Sequence, residues 1–178
     1  MTAVGLDLGG SKIEAQIFDA EWVLTEKRRV DTPNTYQELL IAIGVLITWS
    51  KSYDAHASIG IGAAGILSAD GRALTANLPA TNQKIVHDIH AHFDDRVVYI
   101  NDGRAFALSE AVFGAGQGYD MTLGLILGTG VGAGITWHGA LIGEPNSIAG
   151  EIGHVAAPLA VCGDLPVIEC GCGRAACY

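Results

Sequence analysis

Three groups of residues have the types and spacing to do chemistry. The first is rich in glycine: Leu127-Gly128-Thr129-Gly130-Val131-Gly132-Ala133-Gly134, set between the apolar runs Met121 to Ile126 and Ile135 to Trp137. Two strands joined by such a turn bring bare backbone N–H groups up to a phosphate, because no Cβ blocks the approach and a positive φ costs glycine little. A weaker copy opens the chain, where Val4-Gly5-Leu6-Asp7-Leu8-Gly9-Gly10-Ser11-Lys12 precedes a second apolar run, Ile13 to Phe18. The repetition predicts two related halves facing a polyphosphate.

The second group is Asn101-Asp102. It falls at the end of a short apolar stretch that reads as a buried strand, and ligands of α/β sheets bind at such C-terminal strand ends. A carboxylate there can take the proton of a hydroxyl as its oxygen attacks phosphorus, while the amide orients the hydroxyls. Asp is also a favoured helix N-cap, and the two roles can coexist.

The third group is Gly150-Glu151-Ile152-Gly153-His154 with Cys170-Gly171-Cys172-Gly173-Arg174-Ala175-Ala176-Cys177. Glu151 and His154 converge if the backbone turns between them, which the flanking glycines permit. Three clustered thiols in an acidic chain favour a metal over disulfides, and thiolates with one imidazole suit tetrahedral Zn²⁺. Free buried thiols are the competing reading, and Cys162 reads as a packed spare. A zinc with four protein ligands has no position for water, so it would be structural. His87, His90 and His92 share no single helix face and read as solvated surface.

Positioning these groups requires a set of elements. Ala3 to Leu8, Ile13 to Phe18 and Trp22 to Val30 read as strands with close turns, hence an antiparallel meander. Thr35 with Glu38 makes a capping box ahead of Tyr36, Leu39, Leu40, Ile43, Leu46 and Ile47, which predicts a helix over 35–51. Ser58 to Gly62 and Val97 to Ile100 read as buried strands, Ile85 to Phe93 and Gly103 to Phe113 as helices, and residues 63–82 as a loop. The order implies a mixed sheet covered by helices. Gly114 to Gly118 is the best boundary. The expected organisation is one complete α/β domain, 1–116, and a truncated second domain, 117–178, that starts the same pattern again.

The formal charge of −9, with only ten Lys and Arg residues, offers no footprint for nucleic acid or an anionic membrane. Lys27-Arg28-Arg29 reads as the solvated end of a strand. No apolar run reaches the roughly 20 residues of a membrane span, and no signal segment opens the chain, so a cytoplasmic protein is expected.

Asp7-Leu8-Gly9-Gly10-Ser11-Lys12, Asn101-Asp102, Leu127-Gly128-Thr129-Gly130-Val131-Gly132, Gly150-Glu151-Ile152-Gly153-His154 and the cysteine cluster occur in the order seen in the ROK family of sugar kinases and repressors, which the whole chain resembles. The resemblance implies the actin-like ATPase (ribonuclease H-like) fold, ATP-dependent phosphorylation of a hexose with Mg²⁺, and a structural zinc. It implies Asp102 as general base, with Asn77, Asn101, Glu151 and His154 on the sugar. Asp7, Gly9, Gly10, Ser11 and Lys12, with Gly128, Thr129, Gly130 and Gly132, would line the phosphates and Mg²⁺. His154, Cys170, Cys172 and Cys177 match the zinc ligands. Thr75 to Ala80, Phe106 to Ala111 and Gly124 to Thr129 look most like bacterial N-acetylglucosamine kinases, which make the 6-phosphate. Fructokinases and glucokinases of the family are close rivals, and a non-catalytic sugar-binding module is the alternative from another class. A homodimer is expected.

The chain departs from the family pattern in places. Ala64-Gly65 replaces the usual Pro-Gly, which loosens that turn. Gly103-Arg104 replaces Ala-Asn, putting a cation near a neutral sugar unless its side chain turns away or pairs, and Ala176 stands where glycine is usual. Family members continue beyond the equivalent of Tyr178, so the expectation is a chain short of adenosine contacts, with an apolar interface left bare.

Overall fold

The structure, a computed structural model, describes residues 2–75, 77–94, 96–128, 130–143, 149–156, 163, 166, 169, 174, 175 and 177. These form two compact units, one up to Asp102 and one from Gly103 onward.

In the first unit the alternation of apolar residues drives β1 (Ala3–Leu8) and β2 (Lys12–Phe18) into an antiparallel pair, with Leu8 opposite Ile13 and Val4 opposite Ile17. β3 (Leu24–Asp31) continues the meander on β2. The α1 helix (Tyr36–Lys51) starts where predicted: the Glu38 N–H donates to Thr35 Oγ1 at 3.3 Å, a cap worth about 1 kcal/mol. The Glu38 carboxylate lies 2.7 Å from the same hydroxyl. β4 (Ser58–Ala63) then adds parallel to β1 on its other edge.

Within the loop after β4, two short strands, β5 (Ile66–Leu67) and β6 (Ala73–Leu74), pair antiparallel. Two residues carry no alternation, so the sequence shows only a loop there. α2 (Ile85–His92) leads to β7 (Val98–Asn101), parallel to β4, and completes the order β3-β2-β1-β4-β7. One core holds Val4, Leu6 and Leu8 of β1 with Ile13, Ala15 and Ile17 of β2, and Leu39, Ile43, Leu46 and Ile47 of α1 belong to it. Each of the large aliphatic side chains contributes about 2 kcal/mol by leaving water.

Two surface readings are refined. Lys27-Arg28-Arg29 is exposed as expected but lies within β3 and has partners: Glu14 of β2 pairs with Lys27 at 2.7 Å and with Arg29, and Arg28 stands over the Trp49 ring at 5.9 Å. His90 is half-buried, with Nε2 2.8 Å from the Val97 carbonyl, so it ties α2 to the start of β7 while His87 stays exposed.

The second unit takes α3 (Asp102–Phe113) from its second residue, then β8 (Met121–Leu127), β9 (Val131–Trp137) and β10 (Ala140–Leu141) in the antiparallel order β10-β9-β8. This division precedes the glycine-rich 114–118 boundary of the sequence reading, for a steric reason. A Cβ on Gly124 would sit 2.7 Å from Ala107 Cα, and one on Gly134 would sit 2.7 Å from Arg104 Cα. Bare strand positions thus let α3 lie directly on β8 and β9. Arg104 is 2% exposed and its guanidinium donates to the Ile142 carbonyl at 3.4 Å, so this cation is turned into the second unit's interior. Among the described residues no helix is long and apolar enough to cross a membrane.

Candidate functional site

In the first unit, strand register gathers the acidic group. Leu8, Ala63 and Asn101 are neighbours across β1, β4 and β7, so the parallel strands end together, and Asp7 and Asp102 lie within one residue of that edge. Asp102 is the first helical residue of α3. Its charge reaches two groups. The Asp7 carboxyl is held above the usual carboxylate range, first by burial and then by Asp102 and Glu14, with Lys12 opposing. The Tyr99 phenol on β7 is pushed up to about 12, again by burial first and Asp102 second. A carboxylate that two neighbours feel stands at the mouth of the sheet, where it can accept a proton.

The first glycine turn is braced on three sides. Gly9 N donates to the Lys12 carbonyl at 3.0 Å, and Thr32 Oγ1 donates to the Gly9 carbonyl at 2.6 Å. Asn77 packs against Gly10 so closely that a Cβ there would come within 2.6 Å of the Asn77 Cβ. The structure therefore brings Asp7, Gly9, Gly10, Ser11, Lys12, Asn77, Asn101 and Asp102 to one edge of the first unit. Thr32 carried no signal, since a threonine after a strand is unremarkable in sequence. The loop bearing Asn77 is braced by Thr75 Oγ1 donating to the Leu78 carbonyl at 2.7 Å and by Thr81 Oγ1 donating to the Thr75 carbonyl at 2.6 Å.

Asn101 is committed in part: its Nδ2 donates to the Gly65 carbonyl at 3.0 Å. Gly65 has φ +109, and a Cβ there would collide with the Leu74 carbonyl. Glycine is thus required at this turn, and Asn101 holds the turn that the absent proline would otherwise stiffen.

The second unit holds the other groups. β8 and β9 form the expected hairpin, with Leu127 opposite Val131 and Gly128 N donating to the Gly130 carbonyl at 3.0 Å. Gly128 and Gly130 do not adopt positive φ, and neither do Gly9 and Gly10, so the conformational half of the glycine argument does not hold at either tip. The steric half does at the second: Cβ atoms on Gly128 or Gly130 would meet nothing within 4 Å, leaving that backbone open to a ligand. Gly132 lies just inside β9, and Thr129 lies outside the described residues.

Residues Ile152–His154 form one 3-10 turn. It carries Glu151 Oε2 to 3.9 Å from His154 Nε2, the predicted convergence. Gly150, at φ +101, and Gly153 press this turn against the Ala133 and Val131 carbonyls of β9, where no Cβ fits. The carboxylate–imidazole pair is thereby seated beside the glycine hairpin of its own unit.

Of the four thiol and imidazole ligands expected for zinc, Cys170 and Cys172 lie outside the described residues, as do Cys162 and Ala176. Of the other two, Cys177 Sγ lies 3.8 Å from the backbone carbonyl of His154, and Ala156 bridges Cys177 antiparallel. No metal-binding group of three or more His, Cys, Asp or Glu occurs among the described residues.

The mixed sheet, its carboxylate-bearing parallel edge and the repeated glycine-tipped hairpin are those of the actin-like ATPase fold, and the solved ROK sugar kinases share it. The ROK family model matches residues 3–178, and the chain belongs to the ROK family. It is 40% identical to the N-acetylgalactosamine kinase of Shewanella sp. strain ANA-3, an alignment covering 97% of this chain and 58% of that one. With the N-acetyl-D-glucosamine kinase of Pectobacterium atrosepticum it shares 41% identity, over 97% of this chain and 60% of the relative. A crystal structure of a ROK glucokinase from Streptomyces griseus in complex with glucose and AMPPNP superposes with a TM-score of 0.83 at 31% identity, over 99% of this chain and 55% of that one. The chain thus spans about three-fifths of the length of these curated relatives.

Proposed function

We propose that this chain is the N-terminal part of an ATP-dependent sugar kinase that phosphorylates N-acetylglucosamine to its 6-phosphate. The observation that carries the reading is the placement of Asp102 at the end of β7, where its charge is felt by Asp7 and Tyr99. The identity to two acetylhexosamine kinases favours an N-acetylated sugar over glucose or fructose.

In this reading Asp102 accepts the proton of the attacking hydroxyl, since a neutral alcohol is a poor nucleophile until that proton has somewhere to go. Asn77, Asn101, Glu151 and His154 orient the sugar hydroxyls. Gly9, Gly10, Ser11 and Lys12, with Gly128, Thr129, Gly130 and Gly132, line the phosphates; the N–H groups of Gly9 and Gly128 close their own turns, and the remaining donors stabilise charge on the phosphate oxygens without reorganising during transfer. Asp7 would hold Mg²⁺, which when bound neutralises charge on the phosphates. His154 with Cys170, Cys172 and Cys177 would hold a structural zinc, fixing the turn that carries Glu151. The approach of the Cys177 thiol to the His154 backbone brings one thiol of that set to the turn. We further propose a cytoplasmic homodimer.

The test is ADP release from ATP with N-acetylglucosamine, N-acetylgalactosamine, glucose and fructose in turn, alongside calorimetric titration of each sugar. Turnover with N-acetylglucosamine that is lost in Asp102→Asn, with sugar binding retained, supports the kinase. Sugar binding without turnover in any of the four, even in a version extended to the relatives' full length, would instead establish the non-catalytic module.

A further inference from the structure

The loop that carries Asn77 is closed at its base by a side chain. At Ala73 the closure is ordinary backbone pairing: Ala73 N donates to the Gln83 carbonyl and Asn82 N donates to the Ala73 carbonyl, both at 2.8 Å. Two residues further on, the same two backbone groups of Thr75 are taken by one hydroxyl. Thr81 Oγ1 accepts from Thr75 N at 3.3 Å and donates to the Thr75 carbonyl at 2.6 Å. A hydroxyl has a single proton, and that of Thr75 goes to the Leu78 carbonyl at 2.7 Å. The 3.2 Å approach of the two Oγ1 atoms is therefore a contact between groups already committed elsewhere. Leu78 and Ala80, 5% and 0% exposed, anchor the loop in the core of the first unit. Asn77, between Thr75 and Leu78, is exposed and leans on Gly10.

We infer that Thr81 is a positioning residue for the sugar: its hydroxyl, acting through Thr75, fixes where Asn77 stands, and Asn77 in turn sets the Gly10 side of the first glycine turn. This role rests on Asn77 being a sugar ligand, as proposed above. Burial of Leu78 and Ala80 is non-directional, so it holds the loop against the core without setting its orientation. The clasp is directional. It fixes both peptide groups of Thr75, two residues before Asn77, and through the Thr75 hydroxyl the Leu78 carbonyl, one residue after it. Gly10 is the surface that Asn77 meets: a Cβ there would come within 2.6 Å of Asn77 Cβ and 3.1 Å of its carbonyl oxygen, so neither residue moves without the other. A disturbance at Thr81 is thus felt by the sugar, and a disturbance in the phosphate turn is felt there as well.

Calorimetric titration with N-acetylglucosamine, with no nucleotide present, decides the matter in the 178-residue chain and in a version extended to the relatives' full length. Thr81→Val keeps the shape of an exposed side chain and loses both bonds, so it should weaken binding about tenfold, and Thr81→Ser should recover most of that loss. Because Thr81 acts through Asn77, Asn77→Ala should cost at least as much, and Thr81→Val added to it should cost nothing further. Gly10→Ala should also weaken the sugar about tenfold although no phosphate is present. Amide exchange in β1 and α1 verifies that each variant is folded. Losses that add in the double variant, a Thr81→Ser as weak as Thr81→Val, or a Thr81→Val that binds like the native protein would overturn the inference. Absence of sugar binding in both native forms would count against Asn77 as a ligand, and NMR then judges the positioning by itself. There Thr81→Val should shift the Asn77 side-chain amide and the Gly10 backbone amide, with Thr81→Ser returning both, and resonances that stay in place would overturn it.

Discussion

With Gly5 aligned on Gly124, β1–β2 and β8–β9 are near copies in pattern and opposites in circumstance. The leucine face of the first is the centre of a core, while that of the second meets solvent. Their glycines are reversed: a Cβ on Gly5 meets nothing within 4 Å, whereas one on the equivalent Gly124 meets the backbone of α3. Burial is therefore a property of what lies over a strand and not of the strand's own sequence. A pattern of alternating leucines states which face wants cover, and says nothing of whether cover is present.

The sharpest way to break this comparison is to add the same side chain at both glycines. Gly124→Val must push into Ala107 and should destabilise the second unit by about 3 kcal/mol, the upper end of overpacking costs. Gly5→Val has open space and a strand conformation that suits valine, so it should change stability by less than about 0.5 kcal/mol. Hydrogen exchange resolves the units separately where a single melting curve would not. Equal losses at the two sites would mean that the faces are not inverted.

The leucines give the converse test at slightly smaller scale. Leu6→Ala removes a side chain 2% exposed and should cost about 2–4 kcal/mol, as cavity-forming core truncations do. Leu125→Ala, at 43% exposure, should cost under about 0.5 kcal/mol, again from exchange in each unit. A large loss at Leu125 would show that something already covers β8.

Much of this was legible because local chemistry decides it. Thr35 and Glu38 start α1, the period-two runs give β1, β2, β8 and β9, and the two glycines around Glu151-Ile152 predict the turn that joins Glu151 to His154. What escaped depends on distant partners. The role of Thr32 exists only because β3 ends beside the Gly9 turn, and the Nδ2 of Asn101 is committed only because residue 65, distant in sequence, follows the end of the neighbouring strand β4. Lys27-Arg28-Arg29 is solvated as it reads, but its partners Glu14 and Trp49 are invisible in sequence, and Arg104 looks like a site residue until α3 turns it toward Ile142.

That Glu14 ladder distinguishes the hairpins electrostatically, because Gly132 occupies the corresponding place in β9. Hydrogen bonds from Lys27 first and Arg29 second bring the Glu14 carboxyl down to about 2. A depressed carboxylate stabilises the fold above its unfolded pKa, near 4.3, and that contribution is lost as pH falls toward 2. Both cations are half exposed, so screening limits the contribution to about 1 kcal/mol. Glu14→Gln should therefore destabilise the first unit by that amount at pH 7 and by nothing near pH 2, in exchange measurements across the range. A penalty that persisted at the acid end would assign Glu14 a packing role instead.

The smallest expected effect concerns a second charged difference near the strand ends: Asp7 stands where the second hairpin has Ile126. A carboxylate on the strand that leads into the first glycine turn, where the second hairpin has an isoleucine, suits a cation at the first tip. Asp7 titrates high, so its ionisation opposes folding: its contribution is complete at low pH and declines as pH rises through the carboxylate range. Asp102→Asn removes one of the charges responsible and leaves the larger cause, burial, in place. The Asp7 midpoint, followed by carboxyl carbon NMR, should fall while remaining above the ordinary value. An unmoved midpoint would mean that Asp102 does not face the edge where β1 and β7 end, and the carboxylate proposed to receive the sugar's proton would be in the wrong place to do so.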